Sequence, residues 1–216
     1  MKKTDKESML RLAYLLSLLT IFYNVVEGLI SIALGYEDET LSLFGFGVDS
    51  FVEVFSGIGI WHMINRIKAN GDEMRDEFEK TALKITGSGF FILTASLVIT
   101  SIYNLVTNHK PETTFWGIVI SLVSIVTMSM LIKYKLIAGK AINSAALIAD
   151  ANCTKTCLYL SVILLASSVG YELTGFGRLD SLGALAIAYF AFKEGRESFE
   201  KVKSGKSCGC DKHCSK

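Results

Sequence analysis

The sequence predicts an all-α polytopic membrane protein with six transmembrane helices and both termini on the cytoplasmic side. Three observations carry that expectation. Half of the 216 residues are hydrophobic, mean hydropathy is +0.41, and there is a single proline. The apolar residues gather into six blocks, most of them near or above the roughly 20 residues a helix needs to cross the hydrocarbon. Lys and Arg are segregated into alternate connections between those blocks. Backbone groups in lipid must pair within their own segment, so blocks of this length are expected to be helices. A spanning β-barrel would show short alternating segments, and these blocks do not alternate.

The first block runs from about Met9 to Leu34. Basic residues precede it, as in a signal peptide, but no small-residue cleavage site follows, so it is expected to be retained. The second covers about Ser42 to Asn65, the third Leu83 to Val106, the fourth Phe115 to Ile132 and the fifth Asn143 to Val169. The sixth starts near Asp180 and continues past Phe192. Only 12 residues, Ser181 to Phe192, precede Lys193. It is counted as a span because Lys193 and Arg196 can snorkel to the interface. Residues 1–200 then form one transmembrane domain. Residues 201–216 form a short cytoplasmic tail, too small to build a core of its own.

Of the 22 Lys and Arg residues, 19 fall on one side of this arrangement. They stand before the first block, between the second and third (Arg66 to Lys84), around the fourth-to-fifth connection (Lys133, Lys135, Lys140) and after the sixth. Only Lys110 and Arg178 fall on the other side, and Lys155 lies within a span. The positive-inside rule therefore puts both termini in the cytoplasm. The overall charge is nearly neutral, which excludes the basic excess of a nucleic-acid-binding chain. Cys153 and Cys157 sit in the fifth block and the other three cysteines near the end of the chain, unlike a secreted disulfide framework.

Ionisable residues inside spans are costly and mark function. Asp49 and Glu53 in GVDSFVEVFSG are four apart, so their carboxylates lie about 40° apart on one helix face. Two such carboxylates need a cation, a proton or a basic partner. The competing reading is a pair of protonated or capped acids, or partners of Lys155. Cys153 and Cys157 in ALIADANCTKTCLYLS have the same spacing, and Asp150 joins their face. A free cysteine is commonly just a small buried hydrophobe. Two facing helices carrying both pairs would instead offer two carboxylates and two thiols, a tetrahedral set for a soft ion such as zinc or cadmium. Lys155 lies about 200° from both cysteines and points elsewhere. Its expected partners are Glu27 or Asp180, or a water-filled path. Asn24 and Glu27 are candidates for supporting the site or relaying protons, against a plain helix–helix hydrogen bond. Asp180 is a candidate for the same role, or the outer cap of the sixth helix. Cys208, Cys210, His213 and Cys214 form a candidate capture site for a soft metal. The competing readings are reduced unpaired thiols and lipidation.

These segments resemble the cation diffusion facilitator, or cation efflux, family, over about Leu10 to Ser198. VDSFVE looks like the family's DxxxD metal motif, with Asp49 and Glu53 at its ligand positions. ADANCTKTC looks like the family's AD-x-x-HxxxD segment, with Cys153 at the usual His and Cys157 at the usual Asp. DSLGALAIAYFAFKEG looks like its sixth-helix segment. The resemblance implies a homodimeric transporter that moves divalent metal out of the cytoplasm, usually in exchange for protons. The chain departs from the pattern in its Cys/Cys and Asp/Glu pairs. The family's cytoplasmic metal-binding domain is not expected here, because only the cysteine tail stands where it would begin. Dimerisation is then expected to rest on the membrane helices.

The resulting expectation is a secondary transporter exporting a Zn- or Cd-like cation by proton antiport, with Asp49, Glu53, Cys153 and Cys157 as ligands. It is not expected to be an enzyme or to hold a cofactor besides the transported metal. Lipid, metal ion and proton are its expected partners, with a homodimer, no nucleic acid, and a prokaryotic cytoplasmic membrane as its location. The chain carries no Walker motif or phosphorylatable-aspartate motif, which favours a secondary carrier. Two other readings compete: a non-transporting metal sensor or buffer, and a thiol oxidoreductase using Cys153 and Cys157. Cysteines four apart on one helix are poorly placed for a disulfide.

Overall fold

The computed structural model describes residues 3–70, 77–108, 110–142 and 145–204. They form six helices: α1 (Lys3–Glu37), α2 (Leu41–Asn70), α3 (Glu77–Thr107), α4 (Phe115–Ile142), α5 (Ala145–Thr174) and α6 (Arg178–Ser204). Among the described residues there is no strand. Five helices, α1 to α5, are long and apolar enough to cross a membrane. At 27 residues, α6 spans about 40 Å. It is an amphipathic helix rather than an apolar one. Lys193 and Arg196 are exposed along its side, near Glu197 at 3.8 Å and Glu200 at 3.6 Å respectively.

Each of α1 to α5 runs five or more residues beyond its apolar block at one end, and α3 and α4 show why. α3 begins at Glu77 rather than near Leu83, with Lys80 paired to Glu77 at 2.7 Å. α4 continues to Ile142 rather than stopping at Ile132. It does so because Lys135, expected among the interfacial charges, is buried inside the bundle at 1% exposure. The apolar stretch Leu136 to Ala138 then carries the helix on.

Successive helices run in alternate directions, so the short connections 38–40, 108–114 and 175–177 meet at one end. Side chains from distant positions tie that end together. Glu172 at the end of α5 accepts hydrogen bonds from Thr114 N (2.6 Å) and Thr113 Oγ1 (2.9 Å), capping the start of α4. Tyr171 donates to the Pro111 carbonyl at 2.6 Å. Asp180 accepts from Leu41 N at 2.9 Å, from Ser42 N at 3.1 Å and from the Ser42 hydroxyl. It therefore caps α2. The first exposed amides of α2 need an acceptor, and α6 supplies it from across the bundle.

In packing, α1 pairs with α2, α3 with α6 and α4 with α5, and α2 also touches α3, α5 and α6. Small residues permit the closest approaches. A Cβ added at Gly47 of α2 would stand 2.8 Å from the backbone nitrogen of Ile32 in α1. Leu43, Phe46, Leu97, Leu164, Ala184 and Ile187 form the main buried cluster. The outer surface is apolar: Phe22, Ile92, Ile99 and Tyr189 are all exposed. Lipid gives such residues no reason to turn inward, so the interior has room for small and polar side chains beside the apolar cluster.

Candidate functional site

Several ionisable side chains line one cavity where α2 and α5 meet the α3–α6 pair. Asp49 is buried on α2 at 2% exposure, and one turn further Glu53 faces Cys157 of α5. The Cys157 thiol donates a hydrogen bond to Glu53 Oε1. Both residues and Asp49 line a cavity of about 20 Å³. A volume of that order accommodates roughly one water-sized particle. Helix periodicity puts Asp49 and Glu53 on one stripe of α2, as their spacing requires.

The same cavity is lined by Thr86 of α3, Thr156 of α5, and Glu194 and Lys201 of α6. Thr156 Oγ1 donates to Glu194 Oε1 at 2.8 Å. Among the described residues, no three His, Cys, Asp or Glu side chains gather tightly enough to hold one metal ion. The donors border a common space rather than converge on a point.

Residues 17–204 match the cation efflux transmembrane domain. The chain belongs to the cation efflux family. An uncharacterized transporter of Methanocaldococcus jannaschii is 26% identical over 182 residues, 82% of this chain and 63% of that protein, so the chain spans less than two thirds of that relative.

In this cation efflux domain the other sequence-nominated residues take varied places. Asp150 is buried, and its Oδ2 forms an ion pair with Lys135 Nζ at 2.8 Å. Lys135 also donates to Thr154 Oγ1 at 2.9 Å. Asp150 thus faces α4 and is held by a lysine the sequence reading had placed at the interface. Lys155 pairs with neither Glu27 nor Asp180. Its Nζ donates to Asn152 Oδ1 at 2.9 Å, one turn back on its own helix. Asp180 sits at the start of α2, about 18 Å along the helix from Glu53, and serves as the cap described above. Glu27 accepts from Tyr23 OH at 2.7 Å and from Ser50 Oγ of α2 at 3.1 Å, bonding α1 to α2. Asn24 Nδ2 donates to the Thr20 carbonyl at 3.0 Å, and its buried Oδ1 has no partner. The side chain of Cys153 lies outside the described residues, as do Cys208, Cys210, His213 and Cys214.

Glu194, Lys201 and Thr86 were not singled out from sequence. A signal existed for the first two. Asp180, Ala184, Ile187, Ala191, Glu194, Ser198 and Lys201 follow a four-three spacing along one face of α6. The buried small residues of that face continue directly into the polar ones. Treating Lys193 as the end of the span cut the pattern short.

A second, larger groove of about 260 Å³ lies between α1 and α4, lined by Tyr23, Glu27, Trp116, Ile120 and Val123. It is almost wholly apolar and opens on the outer face. Its one carboxylate, Glu27, is already hydrogen-bonded. The smaller cavity holds the donor groups and is the candidate site.

Proposed function

We propose that this chain is a secondary carrier that exports a soft divalent metal cation, of the zinc or cadmium kind, in exchange for protons. The observation that carries the reading is the thiol of Cys157 meeting the carboxylate of Glu53 across α2 and α5, with Asp49 in the same cavity. A thiolate beside two carboxylates selects softer cations over magnesium or manganese. A cation bridging the Cys157 sulfur and the Glu53 carboxylate would take the place of the thiol proton. Metal entry expels that proton, and reprotonation from the opposite side weakens the metal's hold. Cation and proton thus compete for the same atoms, which is the linkage antiport requires. Turning the side chains inward around the ion would complete the ligand set, with Cys153 as the fourth donor. Alternating exposure of this site, a homodimer held by membrane helices, and residence in a prokaryotic cytoplasmic membrane complete the proposal.

The test uses purified protein in liposomes with an internal metal dye and an imposed proton gradient. Zinc or cadmium flux is expected for the native chain. It should fall to background in Asp49→Ala and in Cys153→Ala/Cys157→Ala. Flux that survives without the cysteines would move the site to the carboxylates and defeat the soft-metal selection. Tight binding with no flux of any metal would identify a buffer or sensor instead.

A further inference from the structure

The cavity has a second wall that the α2–α5 motif pair does not account for. On α6, Glu194 lines it, positioned by the hydroxyl of Thr156, the residue immediately before Cys157. On α3, Thr86 lines it with 2% exposure. The Thr86 hydroxyl has no hydrogen-bond partner. Buried Ser101 of the same helix also has no partner, but it is a serine away from the cavity, and the other threonines of α3 differ. Thr81, Thr94 and Thr100 each donate to the carbonyl four residues earlier at 2.8 Å, and Thr107 does so at 2.9 Å. That back-bond is the easy way for a helical threonine to satisfy its hydroxyl in an apolar setting. Thr86 forgoes it where α3 borders the cavity, as the polar residue between Leu83 and Phe90 on that wall. A buried polar oxygen left unpaired is costly unless something else supplies the partner.

We propose that Glu194 and Thr86 are additional oxygen donors to the cation that Asp49, Glu53 and Cys157 take up, so that the α3–α6 pair supplies a second wall of the site. This rests on the reading of the cavity as a cation-transport site, and it names the residues that tune which cation is held. The carboxylate and hydroxyl are hard donors, and they face the soft thiol. The site accordingly grades its preference: the α5 sulfur favours cadmium, and the α3 and α6 oxygens offset part of that preference in favour of zinc.

The experiment titrates the full chain in lipid nanodiscs with zinc, cadmium and manganese by calorimetry, beside unfolding curves of the same samples. Glu194→Gln is expected to weaken zinc binding by about tenfold, as loss of a charged donor does. Its effect should be larger for manganese and smaller for cadmium. Thr86→Val removes a hydroxyl that has no partner in the apo protein, so its stability should hold or rise. Its zinc affinity should nonetheless drop about threefold. That combination, undiminished stability with weaker binding, is one a merely structural role does not produce.

Other results overturn the inference. If both variants bind all three metals within about twofold of the native chain while Asp49→Ala abolishes binding, the transport site stands and the second wall does not belong to it. If Glu194→Gln lowers stability and affinity for every metal alike, Glu194 is only a packing group. If Thr86→Val binds normally, the α3 donor is refuted whatever Glu194→Gln does. If the native chain neither binds nor moves any of the metals, the transport reading itself falls and takes this inference with it.

Discussion

Removing the Lys135 ammonium should destabilise the bundle far more than removing both members of its ion pair. Lys135 Nζ and Asp150 Oδ2 are 2.8 Å apart, with side-chain exposures of 1% and 8%. Solvent screening is therefore negligible, and the surface discount for ion pairs does not apply. In Lys135→Met the methionine fills much of the space, but Asp150 is left as a buried charge with no counter-ion. Thr154 does not share that loss, because its hydroxyl still donates to the Asp150 carbonyl at 3.1 Å. Breaking one side of such a pair costs about 3–5 kcal/mol. At roughly 2–4 °C per kcal/mol for a chain of this size, the midpoint should fall by about 6–20 °C. In Lys135→Met/Asp150→Leu no charge is stranded, and the cost should be near zero or slightly negative. The assay is reversible unfolding in mixed micelles, followed by helical circular dichroism, on the native chain, both single variants and the double. Single variants costing under about 1 kcal/mol would show that the pair is not desolvated. A double variant costing the sum of the singles would show that the two residues are not coupled. Either result would refute the reasoning.

Two further outcomes are expected. Gly47→Ala should lower the unfolding midpoint by the equivalent of about 1–3 kcal/mol. Its new Cβ would stand 2.8 Å from a backbone atom of α1 that no side-chain rotation can move. Unchanged stability would mean that α1 and α2 separate freely. The second concerns Asp38, outside the membrane spans. Burial, then the carboxylates of Glu37, Glu112 and Glu172, raise it above the ordinary carboxylate range. Its buried Oδ2 has no hydrogen-bond partner. The folded state thus keeps a proton the unfolded chain releases. The stability this contributes is complete below the unfolded value of about 3.9 and is lost as pH rises through the raised folded value. Asp38→Asn should be more stable than the native chain at pH 8, and its advantage should vanish in acid. An advantage independent of pH, read from unfolding midpoints, would show that the carboxylate is not the cause.

The helical segments were readable because lipid imposes a rule that sequence cannot evade: long apolar runs must close their own hydrogen bonds. That rule located α1 to α5, and half of their ends fell within three residues of the apolar blocks. It failed where a charge turned inward. Lys135 looked like an interfacial charge, and only its ion pair with Asp150 on the neighbouring helix allows it to be buried. It failed again on α6, where Lys201 looked like the start of a solvated tail and Glu194 like one charge among those at the interface. Their positions on the stripe that begins at Asp180 show why they are interior, but the stripe signifies burial only once α3 is known to cover it.

The sequence by itself determined the all-helical class, the number of helices and the i, i+4 stripe that puts Asp49 and Glu53 on one face. These follow from helix geometry and from the cost of unpaired backbone in lipid, both local properties. Only the tertiary structure decided which stripe meets which. It set Glu53 against Cys157, brought Thr86 and Glu194 to the same cavity, gave Asp150 to Lys135, and sent Asp180 across the bundle to cap α2. Those pairings depend on the rotation and axial offset of whole helices. Close packing at residues such as Gly47 and the need to satisfy each buried polar group select them, and neither is a property of any one segment.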